Sequence, residues 1–317
     1  MTLASVITPS YNSPDIFATI DSVMNQTYPN IEFIIVDDGS KQFDKAKIEE
    51  HIRKNNKGNV KAQVVVNDRN VGTVKTMNRA TLLSSGDYII NLAGDDCFFD
   101  NRVVADIVAE FKRTGALVLT GKRCLFDPDL KKALGVRPRT GQCSFIKNAS
   151  PAELFDAMTA SNFIFGCCTA RSRECIRKFG LYNENYRLIE DYSMNMLLLR
   201  QGVRFHFYDR IFVKYRSGGV SFASKISADY IKESDAIFQN EIKPYAKDQN
   251  KAEESYKAWK ENALAVSAFA AKSEELANKP ISNLLLYCRF FMSRPKTLLS
   301  TVYSKFEAFR SNKKYGN

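Results

Sequence analysis

Histidine is nearly missing from this chain: His51 and His206 are the whole supply. Two histidines leave no His-based zinc site and no His-dependent triad to expect. Long apolar runs are missing as well. No stretch reaches the roughly 18 residues a membrane-spanning helix needs, so none is expected. Met1 leads into an apolar strand, Leu3 to Thr8, without a basic region or cleavage site, so no secretory leader is expected. The cysteines number seven and lack paired metal-ligand spacing. Cys167-Cys168 with Cys175 matches no zinc pattern, and adjacent thiols sit poorly on one ion. Reduced, mostly buried thiols in a cytoplasmic protein are the expectation. Internal repeats and long low-complexity tracts are absent too.

The hydrophobic fraction of 44% is that of a globular chain with a sizeable core. The net charge of +11 is unevenly placed: Lys243–Asn317 holds 14 Lys/Arg against 7 Asp/Glu, and the first 242 residues 32 against 28. No nucleic-acid motif accompanies this basicity, so no nucleic-acid partner is expected.

Strand-like runs alternate with helical stretches. Strands are expected at 3–8, 31–36, 60–66, 88–92 and 116–120. Helices are expected at about 13–26, capped by Ser13 with Pro14 in the first turn, and at 42–54, 72–85 and 101–113. This alternation predicts βαβ units and a mostly parallel sheet. Residues 127–148 read as a long loop or irregular hairpin. Short helices follow from Pro151 to Thr159, Arg171 to Phe179 and Glu190 to Arg200. Val203–Phe207 and Ile211–Tyr215 read as a hairpin, and the chain reads as helical from Ala228 onward.

Two apolar runs end in paired acids: Ile34-Ile35-Val36-Asp37-Asp38-Gly39-Ser40 and Tyr88-Ile89-Ile90-Asn91-Leu92-Ala93-Gly94-Asp95-Asp96. Such runs read as buried parallel strands whose carboxyl ends carry a site. Adjacent strands ending this way would build an acidic cluster suited to a divalent metal and a ribose. Turn and helix capping would account for either pair alone.

Further segments stand in a fixed order: Val6-Ile7-Thr8-Pro9-Ser10-Tyr11-Asn12, Ser22-Val23-x-x-Gln26-Thr27-Tyr28-Pro29, Asn70-x-Gly72, Asn78, Gly86-Asp87-Tyr88-Ile89, Phe179-Gly180-Leu181-Tyr182, Glu190-Asp191-Tyr192, Gly202, and Tyr215-Arg216 before Gly218-Gly219-Val220-Ser221. With the two acidic strand ends, these segments resemble the family 2 glycosyltransferases of the GT-A fold across about 3–221. The resemblance implies an α/β, Rossmann-like, mostly parallel sheet flanked by helices, with a helical C-terminal extension. It divides the chain into a catalytic domain at 1–222 (nucleotide-binding half 1–121, acceptor half 122–222) and a basic, amphipathic helical region at 223–317.

The implied activity is inverting transfer of a hexosyl or deoxyhexosyl group from a UDP- or TDP-sugar to a saccharide or lipid-linked saccharide, in surface-polysaccharide synthesis. Tyr11 would stack on the base, Asp38 would accept from its ring N–H, and Thr8 and Pro9 would shape the loop. Asp95 and Asp96 would hold Mn²⁺ or Mg²⁺ and the ribose. The commoner Asp-x-Asp form has an acid where Ala93 stands. Lys75 could reach a phosphate, and Arg216 would close over the diphosphate with the glycine loop that follows it. Asp191 matches the position of the base, with Glu190 orienting it or touching the acceptor.

A nucleotidyltransferase would need a Gly-rich, basic loop after the first strand, and Thr8 to Ser13 offers neither glycine nor a cation. A non-catalytic relative is hinted at only by Ala93 and opposed by Asp38, Asp95, Asp96 and Asp191. Residues 280–317 combine Leu284-Leu285-Leu286-Tyr287, Phe290-Phe291-Met292 and Leu298-Leu299 with seven Lys/Arg and the single acid Glu307. Such a segment suits an anionic membrane surface at the inner membrane face, or packing on its own domain or a homodimer partner.

Overall fold

The computed structural model describes residues 1–159, 161–217, 226–275, 286, 290 and 294–316. The glycine loop at 218–221 and most of the apolar residues at 284–292 lie outside the described residues, as do the side chains of Leu298 and Leu299.

Four parallel strands open the fold: β1 (Ala4–Ser10), β2 (Ile31–Asp37), β3 (Val60–Val66) and β4 (Tyr88–Asn91). The helices α1 (Ile16–Met24), α2 (Lys45–Asn55), α3 (Thr73–Leu83) and α4 (Val103–Thr114) alternate with them. Then come β5 (Cys97–Phe98), β6 (Val118–Phe126), β7 (Ala133–Arg137), β8 (Thr169–Ser172) and β9 (Phe205–Arg216). One nine-stranded sheet runs β3-β2-β1-β4-β8-β6-β9-β5, with β7 beside the second half of β6. β8 is antiparallel to β4 and β6, whereas β9 runs parallel to β6.

The central strands are apolar on both faces because helices cover both. Ile7, Ile34 and Val36 enter one core layer with α3 and the later helices. Val6, Phe33 and Ile35 enter the other with α1 and α4, as the two-residue period of a strand requires. Helices α5 (Thr140–Asn148), α6 (Pro151–Met158), α7 (Arg173–Phe179) and α8 (Glu190–Arg200) follow. α6 starts on a capping box in which Ser150 and Glu153 bond reciprocally, with Pro151 in the first turn. The described C-terminal part is mostly helical: α9 (Ala228–Ile237), α10 (Gln249–Glu275) and α11 (Pro295–Tyr315).

Several expectations need correction. β1 lies between β2 and β4, so the two acidic strand ends are not neighbours. Among the described residues no group of three acids, cysteines or histidines could hold a metal. α1 begins after Asp15, and the Ser13 hydroxyl donates to Gly94 O at 2.6 Å instead of capping it. Of the two readings of residues 127–148, the irregular hairpin holds in part, because β7 pairs antiparallel with β6 across a register shift, while α5 replaces the long loop. Arg171 and Ser172 belong to β8, so α7 starts at Arg173. The expected hairpin at 203–215 is one continuous strand, β9. Its polar middle is a register shift against β6, not a turn. There Arg210 bonds Asp100 at 2.7 Å and Asp106 at 3.0 Å, and Asp209 pairs with Lys122.

Helix α11 packs on the molecule. Glu307 takes Arg137 of β7 at 2.7 Å and Arg139 at 3.8 Å, and Tyr315 meets Phe99 edge-on at 5.6 Å. No described helix is long and apolar enough to cross a membrane.

Candidate active site

The carboxyl ends of β1, β2 and β4 open onto a cavity of about 830 Å³ that also reaches β6, β9 and the start of α8. At one end the β1–α1 loop presents Tyr11, half exposed with its ring open to the cavity. Pro9 lines the wall, and its carbonyl receives Gly94 N–H at 3.0 Å, tying the β1 end to the β4 end. Thr8 is fully buried and does not line the cavity.

Asp38 reaches the cavity, yet its carboxylate is already engaged. It receives Asn67 Nδ2 at 2.9 Å and the backbone N–H groups of Val71 and Gly72, each at 2.8 Å. These bonds shape the turn into α3. Gly72 sits there at φ 95°, and a Cβ would lie 2.7 Å from Arg187 O. Lys75, on α3, is exposed and does not line the cavity. Thr73 and Thr76 face it, because residues three apart share a helix face and Lys75 is turned away by about two hundred degrees from Thr73.

The middle of the cavity is Ala93-Gly94-Asp95-Asp96. Asp96 Oδ1 accepts Arg216 N–H at 2.9 Å, whereas its Oδ2 is buried with no partner. Burial, then the charge of Asp95, pushes the Asp96 carboxyl well above the ordinary range. Burial also raises Asp95. An orphaned carboxylate oxygen beside a second raised carboxyl is a donor set that a hard divalent cation satisfies. Two protein carboxylates are a usual contribution when substrate phosphates complete the shell. Arg216 pins this turn: Nε donates to Asp95 O at 2.9 Å and lies 3.4 Å from Asp15, and the guanidinium also bonds Pro128 O.

The far end holds Glu190 and Asp191 at the head of α8. Gly166 N–H donates to Asp191 Oδ2 at 2.8 Å. A Cβ on Gly166 would lie 3.0 Å from both Asp191 Cβ and Glu190 Oε1, so a side chain there would press on the acid pair. Burial, then Asp191's charge, pushes the Glu190 carboxyl up to about 8. Burial raises Asp191 too, opposed by the Gly166 bond, the positive charge of Arg123 and a bond from Asn162. Burial resists charge on both acids, and the Gly166 bond, Arg123 and the Asn162 bond favour the charged form at Asp191.

Arg123 escaped the sequence reading because β6 was expected to end at Thr120. Its guanidinium lies between the rings of Phe165 at 3.8 Å and Tyr215 at 4.1 Å. Its Nε is buried without a partner, and its charge acts on both Asp96 and Asp191. With Arg216 it is one of two arginines that line the cavity. The histidines take no part: His51 pairs with Asp21 and His206 with Glu110, each at 2.6 Å and away from the cavity. The six described cysteines are unpaired.

A nucleotide-sized cavity at the carboxyl edge of a parallel sheet, lined by acids and two arginines, defines a nucleotide-sugar transferase of the GT-A type. Residues 5–180 match the family model described as Glycosyl transferase family 2, and the chain belongs to that family. It is 28% identical over 216 residues to the "Putative teichuronic acid biosynthesis glycosyltransferase TuaG" of Bacillus subtilis, covering 68% of this chain and 79% of TuaG. It is 26% identical over 249 residues to the Escherichia coli "UDP-Glc:alpha-D-GlcNAc-diphosphoundecaprenol beta-1,3-glucosyltransferase WfaP", covering 77% of this chain and 89% of WfaP. Among solved structures, the mannosyltransferase PcManGT of Pyrobaculum calidifontis, in complex with GDP-Man and Mn²⁺, superposes with a TM-score of 0.61. The identity there is 17%, over 98% of this chain and 86% of PcManGT, a likeness of fold. The chain is a glycosyltransferase that uses a nucleotide-sugar donor.

Proposed function

We propose that the chain inverts the anomeric centre as it moves a sugar from a UDP- or TDP-linked donor to a saccharide or lipid-linked saccharide. The observation that carries this reading is Asp191, whose charged form the Gly166 bond, Arg123 and the Asn162 bond favour, in the same cavity as Asp95 and Asp96. The acceptor oxygen attacks the anomeric carbon from the side opposite the diphosphate. Its proton passes to the Asp191 oxygen not occupied by Gly166 N–H, while the bond from anomeric carbon to phosphate oxygen breaks. Arg123 offers its free Nε to negative charge in the cavity. Tyr11 offers a stacking face to the base, and Asp38, through the turn it holds, sets the wall beside it. A Mn²⁺ or Mg²⁺ ion held by Asp95 and Asp96 would stabilise the charge on the departing diphosphate.

The WfaP name specifies a UDP-sugar and a diphosphoundecaprenol-linked acceptor, which supports the same classes here. Presence of Mn²⁺ in the PcManGT complex supports the metal. Calorimetric titration with UDP, TDP, GDP and CMP, with and without Mn²⁺, tests the donor site. One pyrimidine diphosphate is expected to bind only with Mn²⁺ and to be lost in Asp95→Ala/Asp96→Ala. Folded protein that binds none of the four would sink the donor assignment. The Asp191→Asn variant tests the base: kcat is expected to fall by about 10²–10⁴ with nucleotide affinity unchanged.

A further inference from the structure

The acids at the head of α8 are held from behind by another acid, which no motif marked. Glu233 on α9 receives three consecutive backbone N–H groups: Arg187 at 2.7 Å, Leu188 at 2.8 Å and Ile189 at 2.5 Å. These residues directly precede Glu190 and Asp191. Ile189 is the N-cap of α8 and has no side-chain oxygen with which to satisfy the helix's free donors, so α9 supplies a carboxylate to the backbone leading into that helix. The same tripeptide also touches the donor end. Arg187 O accepts Val74 N–H at 3.1 Å, and the Arg187 guanidinium donates to Asn70. Glu233 itself does not line the cavity, although Tyr230, one turn earlier on α9, does.

We propose that Glu233 is a positioning residue for the transfer: by clamping Arg187–Ile189 it sets where Asp191 meets the acceptor hydroxyl. The inference rests on the transfer reading above. A carboxylate that takes three amides at once is satisfied by this segment in one arrangement, so losing it frees three donors and the start of α8 together. An error of about 1 Å at a reacting oxygen costs on the order of 100-fold in rate. The charge matters as well as the hydrogen bonds. Glu190 and Asp191 face Arg123 from β6, Arg171 from β8, Tyr182 and Asn162 from the intervening loops, and Tyr230 and Glu233 from α9. Among these, Glu233 adds negative charge that disfavours ionisation of Glu190.

The full chain with Glu233→Ala or Glu233→Gln tests this. In Glu233→Ala, exchange of the Arg187, Leu188 and Ile189 amides is expected to quicken, and kcat to fall about 10–100-fold. Donor KM and nucleotide affinity should stay within about twofold, since the donor contacts of Asp38, Asp95 and Asp96 are untouched. Glu233→Gln keeps an accepting oxygen and should recover most of kcat. Wild-type kcat and wild-type exchange in folded Glu233→Ala would overturn the proposal, as would a proportional loss of kcat and nucleotide affinity. Should Glu233→Ala fail to fold, Glu233→Gln decides: its amide nitrogen must face one side of the clamp, so at least one of the three amides is expected to exchange faster, and wild-type exchange at Arg187, Leu188 and Ile189 overturns the proposal. Amide exchange is read without turnover, so a clamp that holds in a protein that transfers nothing would fault the transfer reading and not the clamp.

Discussion

Glu190 shows how one side chain writes itself into the stability of the whole. Its carboxyl is pushed from 4.5 in the ordinary state up to about 8 by burial and by Asp191. Below pH 4.5 both folded and unfolded chains hold the proton, and nothing is lost. Between 4.5 and 8 the unfolded chain releases the proton more readily, so stability falls as pH rises, and above 8 the loss is complete. Glu190→Gln mimics the protonated form and removes this slope. The ligand-free variant should gain about 1–3 kcal/mol over wild type at pH 8 and little at pH 5. This is below the full ~1.4 kcal/mol per unit because the side chain is partly open to the cavity. Urea midpoints of the two proteins at the two pH values check it, and equal gains at both would refute the shift. Asp191 and Asp95-Asp96 were legible in the sequence because acids after apolar runs and at a helix start leave a local trace. Arg123 and Glu233 leave none. A basic residue inside a strand and a glutamate inside a charged helix look like surface, and only the fold turns them inward.

The turn between β3 and α3 shows what an element demands of its residues. Gly72 stands at φ 95°, a region open to glycine alone, with Arg187 packed where a Cβ would go. Its N–H also goes to Asp38 at 2.8 Å. Gly72→Ala should therefore destabilise the protein by about 2 kcal/mol or more, by urea unfolding, and weaken nucleotide binding because the Asp38-held turn shifts. A variant of wild-type stability would mean that the turn relaxes at no cost. The parallel strands and their helices were legible element by element, since apolar runs of the right length between caps and glycines have few alternatives. β7, β8 and the unbroken β9 were not. β8 is short and antiparallel, and its pairing with β4 and β6 depends on distant chain. β9 carries polar residues at its register shift that, in sequence, mimic a turn.

At the scale of the whole molecule, the basic tail is half answered. Expectation left α11 open to membrane, partner or self. One face is now taken: Glu307, the only acid in 280–317, points inward to Arg137, and Tyr315 packs on Phe99. The exposed positions of the helix keep the cations Lys305, Arg310, Lys313 and Lys314, with Phe306 at 57% and Phe309 at 70% exposure. β7, on which α11 lies, is preceded by the loop whose Pro128 lines the cavity. An aromatic, wholly basic face beside the site suits an anionic lipid surface carrying a lipid-linked acceptor. Each Lys or Arg near such a surface contributes about 1 kcal/mol. The full chain should then sediment with vesicles rich in phosphatidylglycerol and not with phosphatidylcholine alone. The triple variant Lys305→Gln/Lys313→Gln/Lys314→Gln should bind about 100-fold more weakly, from roughly 3 kcal/mol lost. About 1 M salt should abolish most of the wild-type binding, because screening then acts within a few ångströms. Phe306→Ser/Phe309→Ser should weaken binding at any salt, since the rings insert by an apolar term that salt does not screen. Equal sedimentation with both vesicle types, or binding that ignores both salt and the cations, would remove the membrane from this face and leave it to another copy of the chain.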